Sequence, residues 1–288
     1  TGSLTRQVTN MLIPTAVYIV MAVSLNLVVG LLGELSLGHA GFMSVGLFSG
    51  CLVAIALTNT ALPLMVRLPV SMLAGGLTAA VFGLLVGLPT LRLRGDYLAI
   101  VTLACGEIIK NIITNLRVTG GALGLNTTAI YAGAKELLPY GAALVLLTVA
   151  VMLNLKRSKY GRAIMAIRDN RIAAESVGLS VTRYKLAVFV IAAFFAGCAG
   201  VLYGHSLANI KAAAFDYNMS IEILVIVVLG GMGSVSGSVV SAIVLTVLPE
   251  ALREVADYRM LVYAVVLILV MQATNNPAMK RFFGAACK

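Results

Sequence analysis

Long, continuously apolar runs fill this chain from near its start to near its end, and they dictate what it can fold into. A helix needs about 20 mostly apolar residues to cross the hydrocarbon of a bilayer. Such runs occupy residues 11–32, 42–58, 69–88, 97–115, 138–155 and 185–208. A shorter pair follows at 219–231 and 236–249, and a last run at 259–273. The fold class expected is an all-α polytopic membrane protein, one transmembrane domain over residues 1–288, with about nine segments, some short or interrupted. The residues are 60% hydrophobic and only 11% charged, whereas soluble domains carry about 25% charged residues. That excludes a soluble enzyme, a disordered chain and a nucleic-acid module. A transmembrane barrel would alternate polar and apolar residues over segments of about ten, and these runs do not.

The net charge of +10 reports orientation. Eight of the 21 Lys and Arg residues fall between Lys156 and Lys185, and by the positive-inside rule that loop faces the cytoplasm. Counting spans from it places Arg92, Arg94 and the tail with Lys280, Arg281 and Lys288 on the same side. The segment Glu250–Arg259 and the N-terminus fall outside. The run 11–32 is too long for the core of a cleavable signal peptide and reads as a retained span.

Two Gly- and Ser-rich interruptions lie between apolar arms: Gly33-Glu34-Leu35-Ser36-Leu37-Gly38-His39-Ala40-Gly41 and Gly230-Gly231-Met232-Gly233-Ser234-Val235-Ser236-Gly237-Ser238. Each is either a tight turn between helices or irregular backbone beside a solute pathway, which must be buried in protein or line a wet cavity. Cys51, Cys105 and Cys198 sit in apolar segments and Cys287 in the tail, with no CxxC pair and only two histidines. No metal site is expected.

The basic loop Lys156–Lys185 has its own helical content. Ile164, Ile167, Ala174 and Val177 recur at about helical spacing, and Gly178 offers a stop. An amphipathic piece of this kind either fills a groove on another protein or lies on lipid; its charge suits both.

Several blocks resemble a known family. They are Leu25-Asn26-Leu27 through Leu35-Ser36-Leu37-Gly38-His39-Ala40-Gly41-Phe42, Gly95-Asp96-Tyr97-Leu98, Gly120-Gly121 with Gly124-Leu125, Gly161-Arg162-Ala163 through Arg168-Asp169, Ala173-Ala174-Glu175 with Gly178, Tyr184-Lys185-Leu186, and Leu229-Gly230-Gly231-Met232-Gly233-Ser234. In order and spacing the chain resembles the permease subunits of bacterial ABC importers for branched-chain amino acids, the LivM type of the LivH/LivM pair. The resemblance implies an importer permease fold in the bacterial inner membrane. It implies a LivH-like second permease, two cytoplasmic ATPases that bind ATP and Mg, and a periplasmic binding protein. The chain itself then needs no cofactor and is no enzyme. The loop would rest on an ATPase, through Gly161, Arg162, Arg168, Asp169, Ala174, Glu175 and Gly178. Members usually carry one more apolar helix ahead of the run at Met11, and a different C-terminal segment from Gln272–Pro277.

The expected cargo is leucine, isoleucine or valine, moved by ATP-driven alternating access. Related permeases carry urea, amides or sugars. Pathway candidates are Asn26, Ser36, His39, Ser44, Asp96 and Glu107, because polar groups inside spans usually face the bundle interior. Each also has a structural reading: Glu107 as an ion pair with Lys110, Asp96 as a helix cap, His39 as a brace for the first interruption. A secondary transporter would explain the spans but not the structured loop. An intramembrane serine enzyme is disfavoured, because Gly233-Ser234-Val235-Ser236-Gly237 does not have the G-x-S-x-G spacing. With no G-x-x-x-x-G-K-[ST] in the chain, ATP hydrolysis is expected elsewhere.

Overall fold

The computed structural model describes residues 2–58, 63–90, 93 and 95–251, with side chains over 11–58, 63–90, 93 and 95–249. The last expected span, the basic tail, Arg92 and Arg94 lie outside them. Among the described residues seven helices are long and apolar enough to cross a membrane. They are α1 (Gly2–Asn26, continued by a π-helical stretch Leu27–Leu32), α2 (His39–Thr58), α3 (Leu64–Thr90), α4 (Asp96–Asn115), α5 (Ala134–Arg157), α8 (Val181–His205) and α9 (Tyr217–Gly230, led in by a short turn at Ala212–Ala214). The shorter α10 (Val235–Ala251) follows α9, while α6 (Lys159–Asp169) and α7 (Arg171–Ser176) make up the basic loop. One small β bridge pairs Leu125–Asn126 (β1) with Asn209–Ile210 (β2).

Helix α1 is the axis of the bundle. Its residues Val20, Met21, Ala22 and Leu25 have no exposed surface, and it packs on α5, α8, α9 and α10. Beside it α2, α3 and α8 form a close-packed trio. A Cβ on Gly46 would come within 2.2 Å of the Gly197 Cα, and one on Gly75 within 2.5 Å of the Gly46 carbonyl oxygen. Lipid offers helices no hydrophobic incentive to associate, so backbones that approach this closely gain dispersion contact instead. Away from the bundle α3 presents Leu73, Leu77, Val81, Leu84 and Leu88 as an exposed stripe at helical spacing, which suits acyl chains.

The Gly46–Gly197 contact also fixes depth. Below it α8 runs on to Val181 and α2 only to His39, so α2 stops about nine residues, roughly 13 Å, short of the end of its neighbour. The chain covers that gap as irregular backbone over residues 33–38. Its amides find side-chain acceptors: Leu37 N donates to Thr102 Oγ1 at 3.1 Å, and Ala40 N, one residue into α2, to Ser220 Oγ at 3.2 Å. These bonds satisfy backbone groups that lipid cannot. The first interruption is thus a climb along the bundle that becomes buried at Ser36 and Gly38, whereas the second is a tight turn. There Gly231 and Gly233 have φ of 87° and 85°, and Ser234 N donates to Gly231 O at 3.0 Å.

Candidate functional site

The second interruption packs against the π-helical end of α1, just ahead of the first, at the end of the bundle that carries α6 and α7. The Asn26 side chain joins the two. Its Oδ1 accepts from Gly233 N at 2.8 Å, and its Nδ2 donates to Ser234 O and Ser238 Oγ, both at 2.9 Å. The backbones nearly touch, because a Cβ on Gly30 would lie 2.2 Å from Gly233 N.

Three cations from the basic stretch are aimed at this junction. Arg168, in the last turn of α6, donates from Nη1 to Gly30 O at 2.9 Å while its Nη2 holds Asp169 Oδ1 at 3.1 Å. Its aliphatic stem lies over Gly33, where a Cβ would meet Arg168 Cγ at 2.5 Å. Lys156, at the end of α5, donates to Gly233 O at 2.6 Å. Lys185 in α8 pairs with Glu34, the two side chains being 8% and 11% exposed. The carbonyl end of a helix carries unsatisfied acceptors and a partial negative charge, and a widened π-helical end presents both to a cation. Between Asn26, Met152, Lys156 and Gly233 a cavity of about 20 Å³ remains, room for about one water.

The loop is built to hold these positions. Ser158 caps α6 by accepting from Gly161 N at 3.2 Å. Gly161 is buried at the bend, where a Cβ would strike Leu155 O at 2.2 Å. Asn170 separates α6 from α7 and accepts from Ala173 N at 3.0 Å. Ala174 packs with Ile167 and Val181, and Gly178, at φ 86°, ends the unit. The expected helical stretches 162–168 and 171–177 are therefore α6 and α7. On the outer side, Ala166, Asn170, Ala173, Val177 and Leu179 line a largely apolar groove of about 340 Å³. Ile172 and Val177 stand 81% and 79% exposed.

The seven loop residues singled out from the sequence divide in two. Gly161 and Ala174 are buried, and Arg168, with its side chain 40% exposed, reaches in to Gly30 O and fixes the unit to the bundle. Arg162, Asp169, Glu175 and Gly178 are exposed, with Glu175 held by Arg171 at 2.9 Å.

The pathway candidates also separate. Asn26 is consumed by the junction. His39 is buried and shares a 2.8 Å hydrogen bond between its Nε2 and Ser24 Oγ. Ser36 and Ser44 are buried with no partner on their hydroxyls among the described residues. Glu107 pairs with Lys110 and also accepts from Tyr217 N, at the start of α9, at 3.0 Å. Asp96 corrects its expectation as a cap. Gly95, with φ 57°, occupies the cap, and Asp96 lies inside the first turn with no capping bond, where a carboxylate still favours the helix dipole. These six do not line one cavity. Sequence reasoning missed Glu222, the one charged residue of α9. Its signal was present as an acid inside an apolar run, masked by the brevity of that run. Among the described residues no three metal-ligating side chains converge.

Comparison with known proteins identifies the family. The family described as branched-chain amino acid transport system, permease component, matches residues 7–271. The chain is 36% identical to the high-affinity branched-chain amino acid transport system permease protein LivM of Salmonella typhimurium and 37% identical to that of Escherichia coli, in each case over 89% of this chain and 66% of the relative. It thus spans just under two thirds of those relatives' length. It is also 26% identical to the ribose import permease protein RbsC of Haemophilus influenzae, over 93% of this chain and 84% of that protein. No solved structure matches. The match along nearly the whole chain, on a bundle of membrane-crossing helices with a structured basic loop, shows that this is a multi-pass membrane protein of the branched-chain amino acid transport permease family.

Proposed function

We propose that the protein is the non-catalytic permease subunit of an ABC importer that moves leucine, isoleucine or valine into the bacterial cytoplasm. Greater identity to the LivM proteins than to the ribose permease supports that cargo over a sugar. The observation that carries the reading is the α6–α7 unit, which exposes an apolar groove outward while Arg168 grips the broken end of α1. A subunit seated in that groove moves the unit, and the unit pulls on the central helix. A secondary transporter needs no such handle. The partners proposed are a LivH-like permease, two cytoplasmic ATPases that bind ATP and Mg, one of them docked in the groove, and a periplasmic binding protein that selects the solute. The subunit sits in the inner membrane.

Reconstitution with these four partners tests the reading. Leucine uptake into proteoliposomes needs ATP hydrolysis and stops when Arg168 is replaced by Glu. Uptake that persists without the ATPases overturns it, and ATP-driven uptake of ribose but not leucine overturns the substrate.

A further inference from the structure

We infer that Glu222, with the rings of Tyr18 and Tyr203, forms a subsite for the primary ammonium group of an aliphatic amino acid on the extracytoplasmic side of the bundle; this rests on the importer reading above. A cavity of about 250 Å³ opens there, lined by Tyr18, Tyr203, Phe215, Asp216, Met219 and Glu222. That is below the ~300–1,000 Å³ typical of drug-sized sites and suits a small solute. Tyr203 lies near the end of α8 remote from the basic loop, so the cavity faces the side from which an importer receives cargo.

The carboxylates of the membrane-embedded part differ in their partners. Glu34 is paired with Lys185 and Glu107 with Lys110. Asp216 is occupied as the cap of α9, accepting from Met219 N at 3.2 Å and from Asn218 Nδ2 at 2.8 Å. Glu222 accepts from the Tyr18 hydroxyl at 3.3 Å and has no cationic partner among the described residues. An acid within a span is costly and ordinarily finds a counter-charge. Here the counter-charge would arrive with the solute.

The rest of the cavity fits that guest. Tyr203 and Phe215 meet edge to face at 6.5 Å between ring centroids, and aromatic faces attract an ammonium group within about 6 Å. Phe215 and Met219 offer apolar contact to a branched side chain. Urea, amides and sugars carry no cation, so the subsite would discriminate against them, and the full chain would add selectivity to that of the binding protein.

Labelling the assembled importer in proteoliposomes with dicyclohexylcarbodiimide, followed by mass analysis of the peptide that holds Glu222, tests the subsite on the unmutated protein. Leucine and 3-methylbutylamine slow labelling of Glu222, whereas 4-methylpentanoate, which lacks the ammonium group, does not. In a second arm Glu222→Gln lowers leucine uptake about tenfold, and Glu222→Asp retains most of it. Equal protection by sodium chloride alone, no labelling of Glu222, or protection by 4-methylpentanoate overturns the subsite. ATP-dependent leucine uptake by the unmutated importer is measured in the same vesicles. Its loss speaks against the importer reading, and its persistence without ammonium-specific protection speaks against the subsite alone.

Discussion

Arg168 Nη1 donates to the carbonyl oxygen of Gly30 across 138 positions of sequence, at 2.9 Å. The contact joins the last turn of a surface helix to the end of the most central one. A force on α6 therefore reaches α1 without passing through the α2–α3–α8 trio.

Breaking that contact should separate fuel use from transport. A hydrogen bond from a charged donor contributes about 1.5–3 kcal/mol. Arg168→Gln in the reconstituted importer should lower leucine uptake about tenfold or more while ATP hydrolysis continues. Arg168→Lys should recover only part, because a point ammonium cannot hold Gly30 O and Asp169 together as the guanidinium does. Uptake and hydrolysis falling in equal proportion would contradict the assignment.

Lys185 and Glu34 should behave as a buried pair. Removing one partner leaves an uncompensated charge, at a cost of about 3–5 kcal/mol. Lys185→Met and Glu34→Gln should each markedly lower the thermal midpoint of the detergent-solubilised protein, and the double variant should lose less than the two losses added. Strict additivity would mean that the two side chains do not interact.

Two glycines give opposite outcomes. Gly30→Ala forces a methyl group to within 2.1 Å of the Asn26 side-chain Oδ1 and 2.2 Å of the backbone Gly233 N, and that backbone cannot yield cheaply. Overpacking costs about 1–3 kcal/mol or more, so little folded protein should be recovered from the membrane. Gly178→Ala meets open space and only the strain of a φ of +86°, about 1–2 kcal/mol. It should fold and assemble, as gel filtration with the ATPases would report.

The outer groove should be needed for assembly and not for folding. Ile172→Asp and Val177→Asp change exposed side chains, so the thermal midpoint should stay nearly constant, as for surface substitutions within about 0.5 kcal/mol. Copurification of the ATPase subunits should be lost. Retained ATPase binding in both variants would move the docking surface elsewhere.

The sequence alone determined the class of fold, the placement of the crossings among the described residues and the existence of a structured basic loop, because hydropathy and helical periodicity are local and additive along the chain. It also marked both interruptions. It did not reveal that the end of α1, just ahead of the first, meets the second, that Asn26 is spent joining them, or that Arg168 reaches Gly30 O while Glu175 pairs with Arg171. Nor did it distinguish the climb of residues 33–38 from the tight turn at 231–234, since both read as glycine and serine between apolar arms. Those differences depend on which backbone atoms lie opposite a given side chain. Only the packing of α1 against α6, α9 and α10 decides that, because the partner of a buried polar group is chosen by proximity in space and leaves no periodic trace in the chain.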